Sequence, residues 1–239
     1  MNIKNAARVF TLFSLLAASS ACAAETGVED ALKRQFPKLT VDSVSESPIK
    51  GVYQVISGSN VLYFDPATGY VLFGEMWSST GTNITAEAKT KIQAAKYGKF
   101  KEQLADAVKV GNGPNEIIEI TDPDCPYCRK MHSYWATRTD VTRYVFLMPI
   151  AQLHPQARAK SDFILSSSDK VAALEEVMGG KYDKTPLPAF AKNKDLIGRQ
   201  TALVTASGLS GTPAFYVNGS FVNGANIPNI EQLINKRSN

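Results

Sequence analysis

Apolar positions change their period repeatedly along this chain, and each change marks a new element. Val9 to Ala18 is an unbroken apolar run behind Lys4 and Arg8, too short to span a bilayer and followed by Ala21-Cys22-Ala23. A basic flank, a short apolar stretch and small residues at a cleavage position predict an export signal covering 1–23, with the mature chain starting at Ala24. Glu25 to Phe36 then reads as a short helix stopped by Pro37. Val52 to Ile56, Val61 to Phe64 and Tyr70 to Phe73 are β-branched and aromatic strands, separated by the turn residues Ser57 to Asn60 and Asp65 to Gly69. Residues 24–83 are therefore expected to form a small α+β domain with a sheet face in search of cover.

From Thr85 to about Val110 strong helix formers take over, with Ile92, Ala95, Leu104 and Val108 as a thin apolar stripe. That composition predicts a linker helix over 84–110, with a core-facing helix of the next domain as the alternative. Gly111 to Pro114 breaks the pattern, and a second domain is expected over 111–239. Its order is strand (Ile117 to Ile120), turn (Thr121 to Asp124), helix, strand (Val141 to Leu147). Near the C-terminus Pro213 to Val217, Asn218-Gly219 and Ser220 to Val222 predict a hairpin, and Asn229 to Lys236 a closing helix. Gly211-Thr212-Pro213 is a tight turn that could hold a cis peptide.

Charge excludes two classes of function. The formal net charge of +4 drops to +2 once Lys4 and Arg8 leave with the signal, which supports neither nucleic-acid binding nor a polybasic membrane patch. The three cysteines are Cys22, Cys125 and Cys128. If Cys22 is discarded with the signal, the protein is a periplasmic one with a single dithiol, too little for a disulfide framework and hence functional rather than structural. A lipobox reading of Ser19 to Cys22 would instead leave the chain lipid-anchored through Cys22.

Cys125-Pro126-Tyr127-Cys128 places two thiols in one turn at the start of a helix, inside a β-α-β unit, which is a thioredoxin-like arrangement. Unpaired backbone N–H groups and the helix dipole favour a thiolate at Cys125, the expected attacking sulfur; Cys128, one turn deeper, is the expected resolving thiol. Pro126 suits the first helical position. His132 lies at Cys-x-x-Cys-x-x-x-His spacing, but no fourth ligand is evident and no metal or other cofactor is expected. His154 reads as a loop residue. Asp122 and Asp124 read as caps of the turn, with electrostatic tuning of the thiolate as the alternative.

Pro48 to Gly51, Val61 to Tyr63 and Gly74 to Met76 in the first domain, with Thr121-Asp122, Cys125 to Cys128, Val177 to Lys181 and Ser210 to Ala214 in the second, make the chain resemble the exported disulfide isomerases of the DsbC/DsbG family. The resemblance implies a cystatin-like N-terminal dimerisation domain, a linker helix, and a thioredoxin-like domain with a helical insertion at about 152–208. It implies a homodimer, misoxidised or unfolded exported proteins as substrates, and a membrane reductant of the DsbD type. Thr212 and Pro213 become the substrate-binding cis-Pro loop, with Pro126 and Tyr127 as the active-site dipeptide. The insertion lacks the structural cysteine pair of DsbC, so it is expected to hold by packing alone. The Pro-Tyr dipeptide leaves isomerase, reductase of single oxidised cysteines and oxidase open, and a redox-independent dimeric chaperone is the reading from another class.

Overall fold

The computed structural model describes residues 27–192 and 194–237. The export signal, its cleavage site and Cys22 lie outside the described residues. The chain divides into two compact units after Lys89.

In the first unit a helix over 27–35 (α1) precedes four antiparallel strands in simple order: β1 (Ser43–Glu46), β2 (Tyr53–Ser57), β3 (Asn60–Asp65) and β4 (Tyr70–Leu72). Alternation along β2 and β3 sends Val55, Leu62 and Phe64 to one face, where Val28 and Leu32 of α1 cover them. The β3–β4 turn forms where the sequence demands it. Asp65 accepts from the backbone N–H of Ala67 at 2.9 Å and from the Thr68 hydroxyl at 2.7 Å, and Gly69 takes φ +76°, a conformation that favours glycine. On the opposite face the Tyr63 hydroxyl meets Thr85 Oγ1 at 2.6 Å.

The segment expected to be one linker helix is three helical pieces and a strand. Helix α2 (Ile84–Ala94) is capped by Asn83, whose Oδ1 accepts from the N–H of Ala86 at 2.9 Å. After a break at Ala95 and Lys96 come α3 (Tyr97–Lys101), a 3₁₀ turn (Leu104–Asp106) and β5 (Val108–Val110). Phe100 of α3 is fully buried against Phe146 and Tyr216, so this part of the segment faces a core, as the alternative reading of the stripe had it.

The second unit is a five-stranded mixed sheet, ordered β5-β7-β6-β8-β9, with β6 (Asn115–Thr121), β7 (Val141–Leu147), β8 (Ala214–Val217) and β9 (Ser220–Asn223). Strands β6 and β7 are parallel, joined through α4 (Pro126–Trp135); all other pairs are antiparallel. Ile117 points to a cluster with Met131 and Trp135 of α4 and Ile230 and Ile234 of α8 (Ile227–Arg237). Ile118 and Ile120 point the other way, to Phe100 and to Leu203 and Val204 of α7 (Lys194–Ala206). Helices α5 (Ala157–Ser166), α6 (Lys170–Met178) and α7 stand between β7 and β8 as the helical insertion. At the entry to β6 the backbone passes so close to Asp140 that a Cβ on Gly113 would lie 2.0 Å from its carbonyl carbon. The β8–β9 hairpin turns on Asn218 and Gly219 with φ +48° and +88°, the positive pair that an Asn-Gly type I′ turn requires.

Candidate active site: a dithiol at the head of α4

The site stands at the carboxyl end of β6. The strand delivers Thr121, the chain turns through Asp122 to Asp124, and Cys125 becomes the N-cap of α4, with Pro126 at a position where its missing N–H costs nothing. Both cysteines are free thiols, and their surroundings differ. Cys125 keeps 6% of its surface exposed and its Sγ lies 3.6 Å from the Thr212 carbonyl oxygen. Cys128 has no exposed surface, accepts the backbone N–H of Asp122 at 3.4 Å, and is pushed up to about 12 by burial of its sulfur. Tyr127, between them, is 66% exposed. The structure thus brings together Cys125, Cys128 and Thr212, and the Thr212–Pro213 peptide bond is cis.

Chemically, the arrangement can offer one thiol at the head of the helix while holding a second, kept as the thiol by burial, behind it. The pair sits in the positive end of the α4 dipole, which stabilises negative charge as it develops on sulfur.

Around the dithiol the structure places residues that the sequence reading had treated as bland or passed over. Asp122 does cap the turn: its Oδ1 accepts from the N–H of Asp124 at 2.9 Å. Its other oxygen, however, accepts from the N–H of Ile150 at 2.7 Å and contacts His154 Nδ1 at 3.1 Å, so the fully buried carboxylate ties the turn to the loop that opens the insertion. Asp124, Arg129, Lys160 and Asp183 form a four-membered ionic cluster. Arg129 donates to Asp124 at 3.0 Å, to Asp183 at 2.7 Å and to the Pro123 carbonyl at 2.8 Å; Lys160 bridges Asp124 and Asp183. Hydrogen bonds from Arg129 and Lys160 hold the Asp183 carboxyl well below the usual carboxylate range.

The expectation that the insertion holds by packing alone is therefore corrected. Leu174, Val177, Ile164 and Leu165 do pack with Cys128 and Leu147, but α5 and the segment after α6 are also clamped to the turn before α4 by the ionic cluster. His132 points to α6 and meets Glu175 Oε2 at 2.9 Å. Among the described residues no group of three or more His, Cys, Asp or Glu could hold a metal ion. One further buried pair escaped sequence reasoning: Glu119 of β6 accepts from Arg143 of β7 at 3.0 Å, with the guanidinium over the Trp135 ring. The signal for it was faint: Glu119 between the isoleucines of β6, and Arg143 within β7.

Comparison with known proteins follows the same division of the chain. A family model described as the disulfide bond isomerase protein N-terminal domain matches residues 19–86, and one described as a thioredoxin-like domain matches 82–237. The chain is 29% identical over 227 residues to the thiol:disulfide interchange protein DsbC of Escherichia coli K12, covering 92% of this chain and 91% of that protein. It is 27% identical over 202 residues to a probable thiol:disulfide interchange protein DsbC of Bordetella parapertussis, covering 83% and 69%. A disulfide interchange protein from Neisseria gonorrhoeae, known as a crystal structure, is 33% identical and matches 56% of this chain and 96% of its own, with a TM-score of 0.49.

Proposed function

Since the chain belongs to the thioredoxin-like domain family and carries an N-terminal domain of the disulfide isomerase type, we propose that it is a thiol:disulfide interchange enzyme, using Cys125 as nucleophile and Cys128 as resolving thiol on misoxidised exported proteins. The observation that supports this most is the asymmetry of the two cysteines: Cys125 keeps a little exposure and its sulfur lies beside the Thr212 carbonyl, whereas Cys128 is wholly enclosed.

The Cys125 thiolate attacks one sulfur of a substrate disulfide. That bond breaks, a substrate thiolate leaves, and a Cys125–substrate mixed disulfide forms. If the released thiolate attacks another substrate disulfide and the last exchange expels Cys125, the substrate is rearranged with no net electron transfer. If Cys128 gives up its proton and attacks the Cys125 sulfur, the enzyme disulfide closes, a second substrate thiolate leaves, and the substrate is reduced by two electrons. A reductant, proposed to be a membrane protein of the DsbD type, then restores the dithiol. Burial of Cys128 slows the second route and leaves time for the first, because a sulfur held as thiol attacks slowly. Thr212 and Pro213 would offer backbone to the substrate in extended form. The first unit would join two chains into a homodimer, and periplasmic localisation follows from the signal read at 1–23.

The test is trapping. Cys128→Ala is expected to accumulate mixed disulfides through Cys125, Cys125→Ala to accumulate none, and alkylation of the reduced protein at neutral pH to label Cys125 first. Equal adducts from both variants would refute the division of roles. The chaperone reading predicts that the double Ala variant still suppresses aggregation of unfolded chains and that disulfide scrambling goes uncorrected in either form.

A further inference from the structure

Asp122 touches both sulfur-bearing residues through its backbone. Its N–H donates to Cys128 Sγ at 3.4 Å, and its carbonyl accepts the N–H of Cys125 at 3.1 Å. Wherever Asp122 moves, the donor aimed at Cys128 moves with it. Its side chain is fully buried, and three donors locate it: Asp124 N–H on Oδ1, and Ile150 N–H with His154 Nδ1 on Oδ2. Two of these are backbone groups. His154 is the one side chain among the three.

His154 is held in turn. Its N–H donates to the Ile150 carbonyl at 2.9 Å and its own carbonyl accepts from Ala157, the first residue of α5, at 3.0 Å. The ring therefore projects from a fixed corner at the head of the insertion. A buried carboxylate oxygen that loses one of two donors is left with an unmet acceptor, which costs more than the bond itself contributes, so the turn would shift to recover a partner.

We propose that His154 is a positioning residue of the dithiol: through the Asp122 carboxylate it fixes the backbone N–H that donates to Cys128, and so sets the balance between the dithiol and its disulfide. The sign follows from the sulfur chemistry. An N–H donor stabilises a thiol sulfur, and a thiolate more, than it does a disulfide sulfur, which is the weaker acceptor. Misplacing the donor destabilises the reduced form, so the protein becomes easier to oxidise. The inference rests on the dithiol being the exchange site, and the measurement separates the two.

The wild-type protein is equilibrated with mixtures of reduced and oxidised glutathione and its dithiol fraction measured. Failure of the wild type to exchange would overturn the reading of the site, and the inference with it. His154→Ala is expected to shift the equilibrium about fivefold toward the disulfide, which is roughly 20 mV. His154→Gln keeps bulk but carries its amide where Nε2 stands, and is expected to shift it similarly; it serves in place of the alanine variant should that fail to fold. His154→Asn carries an amide nitrogen where Nδ1 stands and is expected to stay within about twofold of wild type. A purely structural role would lower the urea midpoint of all three variants and leave the equilibrium constant alone. His154→Gln within twofold of wild type, or His154→Asn shifted as far as His154→Gln, would overturn the proposal.

Discussion

Strands β6 and β8 of the C-terminal unit are covered on both faces, by α4 and α8 on one side and by α3 and α7 on the other, and their apolar side chains are enclosed. In the N-terminal unit α1 covers one face of the sheet, and Tyr70, Leu72, Phe73 and Trp77 remain exposed, Phe73 by 79%. Of the nine large hydrophobic residues exposed among the described residues, six are in the N-terminal unit, although it is the smaller. The catalytic unit has buried its surface by itself. The N-terminal unit has apolar surface left over, and a second copy of the same sheet is the simplest cover for it.

That contrast can be broken by matched aromatic substitutions. Phe100→Ala removes a fully buried ring from the catalytic unit and is expected to cost about 3–5 kcal/mol in urea unfolding. A loss under about 1 kcal/mol would mean that α3 is not part of that unit's core. In the N-terminal unit Leu72→Glu with Phe73→Glu is expected to change folding stability little, since both side chains are exposed, but to weaken self-association by about 3 kcal/mol, roughly a hundredfold in sedimentation equilibrium. Unchanged association would locate the interface elsewhere. The smallest effect belongs to the ionic cluster. Asp183 is depressed below its unfolded value near 4, so its contribution is present above about pH 4 and is lost as pH falls. Asp183→Asn is expected to cost about 1 kcal/mol at pH 7, discounted for the carboxylate's partial exposure, and the gap to wild type is expected to close in acid. An equal gap at pH 7 and pH 2 would show that its hydrogen bonds, and not its charge, hold the insertion.

The period-2 strands, the Asn218-Gly219 hairpin and the Cys125–Cys128 spacing were legible because each is written within a few consecutive residues, whereas Thr212, 87 residues from Cys125, and Pro213 were pointed to by the family resemblance. What was not legible depends on partners far apart in sequence. Val108 to Val110 ends a run of helix formers and becomes a strand only by pairing with Arg143 to Val145. Arg129 and Asp183 are 54 residues apart, and neither announces the other. His154 beside Pro155 looks like any loop residue until the fold brings it to Asp122. Secondary structure and the spacing of the dithiol are local properties; the clamp around the dithiol is a property of the tertiary fold.

Fastening the insertion with Asp124, Arg129, Lys160 and Asp183, in place of a second cysteine pair, also simplifies the enzyme's own biogenesis. Four cysteines can be joined in three ways, two in only one. With Cys125 and Cys128 as the only cysteines beyond Cys22, the two have a single way to join. Beyond Cys22, a protein that exchanges the disulfides of others carries no alternative pairing of its own.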